Sequence, residues 1–155
     1  MWIEKIIDIY YGTKDKETKK SLQLDINKRI IKCFKDPIDV ISIQILKSDD
    51  IPENKYLCPD RGYLDNDYND YLNKYFYMAG YPQKEFSHLG RAVSSGKITK
   101  IKNCSFEHIL DSRAGSSGSP ICLRESICVV GIHKSGNEAK HKNKGTFIGV
   151  VLEEL

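Results

Sequence analysis

Asp111-Ser112-Arg113-Ala114-Gly115-Ser116-Ser117-Gly118-Ser119-Pro120 is followed, six residues on, by the apolar run Ile127-Cys128-Val129-Val130-Gly131-Ile132-His133. Reading these two segments together decides the fold. Gly115 lets the backbone turn sharply without a Cβ clash, and Pro120 closes the loop before an extended segment begins. Turned this way, the amides of Gly115 and Ser117 can converge on one point, which is how an oxyanion hole is built. Ser117 is then the candidate nucleophile.

Composition narrows what such a loop can belong to. The chain has 155 residues, 40% of them hydrophobic and 29% charged. It is one domain or an incomplete one, because all-β barrels often run to roughly 200–250 residues. A net charge of +3 from 24 basic and 21 acidic side chains is too small to imply nucleic acid. A basic cluster at Lys134, Lys140, Lys142 and Lys144 lacks the interleaved aromatics of a nucleic-acid surface. No apolar run approaches the ~20 residues that cross a membrane, and Met1-Trp2-Ile3-Glu4-Lys5 does not begin a signal peptide. The five cysteines, Cys33, Cys58, Cys104, Cys122 and Cys128, form no C-x-x-C pair. We expect free thiols, no metal or cofactor, and an intracellular, cytoplasmic setting.

Most segments read as strands. Ile3 to Tyr11, Ser21 to Asp25, Arg29 to Phe34 and Val40 to Leu46 are short and β-branched or alternating. Gly12 to Lys20 mixes Lys with Asp15 and Glu17, as a solvated hairpin tip does. Asp49 to Asp70 is acidic and broken by Pro52, Pro59 and Gly62, and reads as a connection. Further strands are expected at Tyr75–Gly80, Lys97–Ile101, Phe106–Leu110, the hairpin Ile121–Ile132, and Thr146–Val151.

The serine loop with its Gly-Ile-His strand resembles the nucleophile region of trypsin-like serine proteases. Upstream, Asp39-Val40-Ile41-Ser42-Ile43-Gln44-Ile45 is similar to the place where that family sets the aspartate orienting its catalytic histidine. Asp36, before Pro37, is the weaker candidate. Asp39, Ala79-Gly80-Tyr81-Pro82, Ser94-Ser95-Gly96-Lys97-Ile98, the serine loop and Gly131-Ile132-His133 follow the family's order, and resemble its glutamyl-endopeptidase branch and intracellular relatives most. The α/β-hydrolase elbow needs Gly-x-Ser-x-Gly, and Ser119 stands at its last position. Arg113 stands where secreted trypsins carry a disulfide cysteine.

The resemblance implies an all-β, chymotrypsin-like double β-barrel. Residues 1–48 would form a first barrel lacking its N-terminal strands, 49–71 an acidic connection, and 72–155 a second barrel. Asp39 would face Ser117 across a space for one imidazole. That imidazole is the departure: His88, His108, His133 and His141 all follow Asp39, whereas the family places its histidine before the aspartate. The catalytic histidine is therefore expected outside this chain. The resemblance also implies a substrate pocket between Asp111, Ile132 and His133. Its signals conflict, since Asp111 matches the residue that selects Lys or Arg in trypsin, and His133 matches the histidine with which glutamyl endopeptidases favour Glu. The implied function is peptide-bond hydrolysis through Ser117 acting on polypeptides, with this chain itself inactive and part of a longer one. A non-catalytic peptide-binding or scaffolding module is the alternative.

Overall fold

The computed structural model describes residues 6–11, 20–62, 68–81, 92–137 and 142–155. The chain divides into two compact units: residues 1–34 with 40–56, and residues 35–39 with 57–155. The dividing point after Tyr56 lies within the acidic stretch.

The larger unit is a closed antiparallel barrel of strands β5 (Tyr75–Gly80), β6 (Ala92–Lys102), β7 (Ser105–His108), β8 (Pro120–Leu123), β9 (Val129–Asn137) and β10 (Lys142–Phe147). Their order around the barrel is β10-β7-β6-β5-β8-β9, with β9 returning to β10. Closure leaves none of these strands with an unpaired edge. Period-two alternation decides which side chains enter: Phe76 and Met78 are buried while Tyr75 is exposed, and Phe106 and His108 are buried on β7. With Ile98, Leu110, Ile121, Val130 and Phe147 they form the core. Phe106 occupies a slot made by glycines on two adjacent strands. A Cβ on Gly131 would lie 2.6 Å from its ring, and one on Gly145 would lie 2.4 Å from it.

The expected strand Thr146–Val151 stops at Phe147, and Ile148–Leu152 forms the short helix α1, which buries Gly149 and Val151. A brief apolar run carries no periodicity that separates strand from buried helix. Before it, Lys142-Asn143-Lys144-Gly145 is strand despite its polarity, because Asn143 and Gly145 point inward and the lysines outward. All five thiols are free.

The smaller unit contains two antiparallel pairs. Strand β1 (Ile6–Tyr11) pairs with β2 (Lys20–Asp25), and β3 (Ile31–Phe34) pairs with β4 (Val40–Ile43), with Cys33 opposite Ile41. Asp49, by its sequence the first residue of the acidic connection, is a buried anchor. Arg29 donates to both of its carboxylate oxygens at 2.6 Å, and the backbone amide of Leu46 donates at 2.7 Å. The Arg29 hydrogen bond holds the Asp49 carboxyl below the ordinary carboxylate range against the opposing effect of burial. A depressed folded value means that the stabilisation is present at neutral pH and is lost as pH falls below about 4, the unfolded value. Urea midpoints measured at pH 7 and pH 3 should therefore drop more for the native protein than for Asp49→Asn, which starts lower at pH 7. Equal pH slopes for the two proteins would remove this role for the pair.

Candidate active site

The segment Arg113-Ala114-Gly115-Ser116-Ser117-Gly118-Ser119 folds as two turns in series. Ser116 N donates to Arg113 O at 2.9 Å, closing the first; Ser119 N donates to Ser116 O at 3.0 Å, closing the second. The third residue of each turn is a glycine with positive φ, +89° at Gly115 and +87° at Gly118. Such turns favour glycine at that position. The spacing of Gly115 and Gly118 is thus the sequence's instruction for this loop. Ser117 occupies the second position of the second turn and is exposed, whereas Ser116 and Ser119 on either side are buried.

Hydrogen bonds hold the loop from three directions. Gly118 N donates to His133 O at 2.8 Å, and His133 N donates to Ser119 O at 2.9 Å, so β9 grips the loop's second half. Arg113 N donates to Ser116 Oγ at 3.1 Å. From β10, Asn143 Nδ2 donates to Leu110 O at 2.6 Å, and Ser112 Oγ donates to Asn143 Oδ1 at 2.8 Å. Gly80 admits the loop's far end, since a Cβ there would stand 2.1 Å from Ser119 Oγ. The amides of Arg113, Ser116, Gly118 and Ser119 are all engaged. Among the described residues, those of Gly115 and Ser117 donate to nothing. Gly118→Ala should cost about 1–2 kcal/mol, the ordinary penalty for a Cβ in left-handed backbone. A Cβ there would meet no atom within 4 Å, so the effect is conformational and not steric. Thermal melts of the variant measure it, and an unchanged midpoint would mean that the loop relaxes freely.

Asp39, exposed and with φ +52°, ends the segment 35–39 that groups with the barrel. Lys134 on β9 connects that segment to the loop. Its Nζ donates to Pro37 O at 2.7 Å and lies 3.9 Å from Asp36, while its carbonyl accepts from Ser117 Oγ at 2.7 Å. Thr146 Oγ1 donates to Ile38 O at 2.7 Å from β10. One lysine therefore touches both the turn bearing Asp39 and the serine. The Asp39 carboxylate itself bonds to none of the described residues.

The remaining candidates separate. Asp111 lies on the wall of a cavity of about 400 Å³, with Ser112, Arg113 and Ser116 on its side and Met78, Gly80 and residues 92–95 opposite. Neither Ile132 nor His133 lines it, so this cavity does not bring Asp111 and His133 together. His133 is buried, and its Nδ1 lies 3.1 Å from Nε2 of fully buried His108. Burial, and secondarily the neighbouring His133, push the His108 pKa down to about 3; burial likewise lowers that of His133. Both rings are thus neutral at pH 7. His88 and His141 lie outside the described residues, as do Pro82 and Lys140. By sequence alone Lys134 is only part of a basic cluster, and Asn143 does not stand out. The signal available for Asn143 is its alternate position between two lysines on a polar strand.

Solved structures share this arrangement of strands. A Glu endopeptidase in complex with MPD matches with a TM-score of 0.52 and 20% identity, over 64% of this chain and 44% of that one. The tobacco etch virus protease complexed with product matches at 0.51 and 17%, over 84% and 53%. A point mutant of the same viral protease matches at 0.54 and 16%, over 90% and 59%. The fold is that of the chymotrypsin-like proteases. This chymotrypsin-like chain spans about half the length of the structures it matches, 44–59% of each. No protein-family model matches its sequence, and comparison with curated proteins finds no match. No helix among its described residues is long and apolar enough to cross a membrane.

Proposed function

We propose that this chain is a serine-endopeptidase-like domain in which Ser117 is the nucleophile. The supporting observation is the pair of linked turns that leaves Ser117 exposed while the Gly115 and Ser117 amides donate to none of the described residues. In the reaction, Ser117 Oγ attacks a peptide carbonyl carbon, its proton passes to an imidazole, and the carbonyl oxygen becomes an anion held by those two amides. The imidazole then returns the proton to the leaving amine. Asp39 orients the imidazole through its carboxylate, and Asp111, Ile132 and His133 contact substrate. Ligands are polypeptides, and the five free thiols suit a reducing, intracellular compartment.

The required imidazole is not one of the described histidines. His108 and His133 are buried and bonded to each other, and Ser117 Oγ donates to a carbonyl instead. In this reading a histidine from outside the 155 residues completes the site. The second reading, a non-catalytic peptide-binding or scaffolding module, draws on the same observation. Labelling with a fluorophosphonate tests the assignment. Reaction confined to Ser117, slow in this chain and accelerated when a histidine-bearing segment is supplied upstream, supports the peptidase. Labelling at a rate typical of activated serine hydrolases in this chain alone would place the base within it. Peptide binding without acceleration by any added histidine would favour the binding module.

A further inference from the structure

The outside of the barrel carries a face, both basic and apolar, that the chemistry of Ser117 does not use. On β6, Val93, Ser95 and Lys97 stand at alternate positions, the outward row of a strand whose inward row holds buried Gly96 and Ile98. Lys97 pairs with Tyr75 on β5, and its Nζ lies 4.5 Å from the centre of the exposed Tyr75 ring. A register shift between Ile98 and Lys100 then leaves Thr99 and Lys100 both exposed, so the irregularity turns a second lysine outward. Lys100 stands opposite Glu107 on β7, and Glu107 stands opposite Lys144 on β10. Lys142 Nζ lies 3.5 Å from Glu107 Oε2. Ile109, exposed two places after Glu107, donates its amide to Lys97 O at 3.1 Å.

Solvated lysines alone need no explanation. Here they are interleaved with Val93, Tyr75 and Ile109, which are 62%, 54% and 52% exposed, and neighbouring apolar side chains left in water mark an interaction surface. Addition of a strand is excluded, because β5, β6, β7 and β10 are each paired on both sides in the closed barrel. A partner must therefore be held by side chains. The lysines select an anionic partner, and Val93 and Ile109 select apolar groups on it. A nucleic acid fits less well than a polypeptide. Its phosphates repeat a negative charge at every nucleotide, which sets one against Glu107. Its bases stack on open aromatic faces, whereas Lys97 lies over the Tyr75 ring. A polypeptide spaces its carboxylates and can set a neutral residue over Glu107.

We propose that this face, built on Tyr75, Val93, Lys97, Lys100, Ile109 and Lys144, docks an acidic polypeptide segment that also carries apolar side chains. The lysines draw the segment in and fix its register, and the exposed aliphatic side chains are covered when it settles. Glu107 is the selective element, since it penalises a partner whose negative charge is unbroken. The face uses no residue of the Ser117 loop, so it does not rest on the reading of that serine as a nucleophile.

Fluorescence anisotropy of the full chain with a fluorescein-labelled peptide repeating Glu-Leu-Asp-Phe tests this. The peptide should bind, and more weakly as salt rises. Lys100→Glu combined with Lys144→Glu should raise Kd by about tenfold or more, since one exposed ion pair is worth up to about fivefold. Ile109→Ser should raise it by about fivefold through lost apolar burial. Glu107→Gln should lower Kd, an effect that unfolding cannot imitate. In nitrogen-15 spectra of the labelled chain, the amide shifts caused by the peptide should cluster on β6 and β7. Absence of binding, equal binding by the doubly reversed variant, or weaker binding by Glu107→Gln overturns the proposal. A fluorescein-labelled oligodeoxythymidine that binds more tightly than the peptide, with the same dependence on Lys100 and Lys144, overturns it in favour of nucleic acid. Shifts clustered on residues 113–119 instead would place the peptide at the Ser117 loop and also overturn it. None of these readouts needs turnover, so a Ser117 that never reacts counts against the peptidase reading alone.

Discussion

Phe106→Ala should destabilise the barrel by about 3–5 kcal/mol, the range for truncating a buried aromatic ring. For a chain of this length that lowers the thermal midpoint by roughly 10 °C. Phe106 is 2% exposed, and its ring packs 4.7 Å from that of Phe147 and 5.9 Å from that of His108. Its flanks are Gly131 and Gly145, which have no side chains to move into the void. Gly131→Ala should cost about 1–3 kcal/mol by overpacking, since its Cβ would stand 2.6 Å from the ring and 2.6 Å from Thr146 O. The double variant should cost less than the sum, because the new methyl enters space that the ring vacated. Urea denaturation of the four proteins measures the coupling. Additivity within about 0.5 kcal/mol would show that the ring and Gly131 do not form one packing unit.

Much of this architecture is legible in the sequence because two signals coincide in it. Short aromatic and β-branched runs mark β5 and most of β7, where Phe76, Met78 and Phe106 enter the core, and the two glycines flanking Ser117 mark the turns around it. Each signal is local, so it survives without knowledge of the neighbouring strands. What escapes is set by partners distant in sequence. Asp49 is buried because Arg29, twenty positions earlier, donates to both of its carboxylate oxygens; nothing in the local sequence distinguishes it from the acids that follow. Asn143 and Gly145 face inward on a strand with no apolar side chain before Thr146, one bonding Leu110 O and the other making room for Phe106. Hydrophobic periodicity cannot register a glycine chosen for its absence of bulk. Likewise His108 and His133 are ordinary as single residues, and only strand pairing places their rings together.

Hydrolysis of peptides by this chain should be indistinguishable from that by its Ser117→Ala variant. An unassisted serine hydroxyl is a weak nucleophile at neutral pH, and Ser117 Oγ spends its proton on Lys134 O at 2.7 Å. That bond leaves the oxygen lone pairs free but offers no base to take the proton as the new bond forms. In a serine protease, loss of the catalytic histidine alone lowers kcat by on the order of 10⁶-fold. The oxyanion hole and binding then retain only about 10³–10⁴-fold over water, below what trace contaminating protease contributes. Extending the chain with a segment that presents an imidazole to Asp39 and Ser117 should recover a Ser117-dependent rate, and Asp39→Asn in that extended protein should lower it again by about 10⁴-fold through the wrong tautomer. The turns that carry Gly115 and Ser117 are closed by bonds within the loop, and among the described residues their amides donate to nothing. The comparison to make is the initial rate for native, Ser117→Ala and extended proteins prepared identically. Turnover in the native chain that vanishes in Ser117→Ala would mean that one of its own four histidines serves as the base, and the requirement for an outside imidazole would be withdrawn.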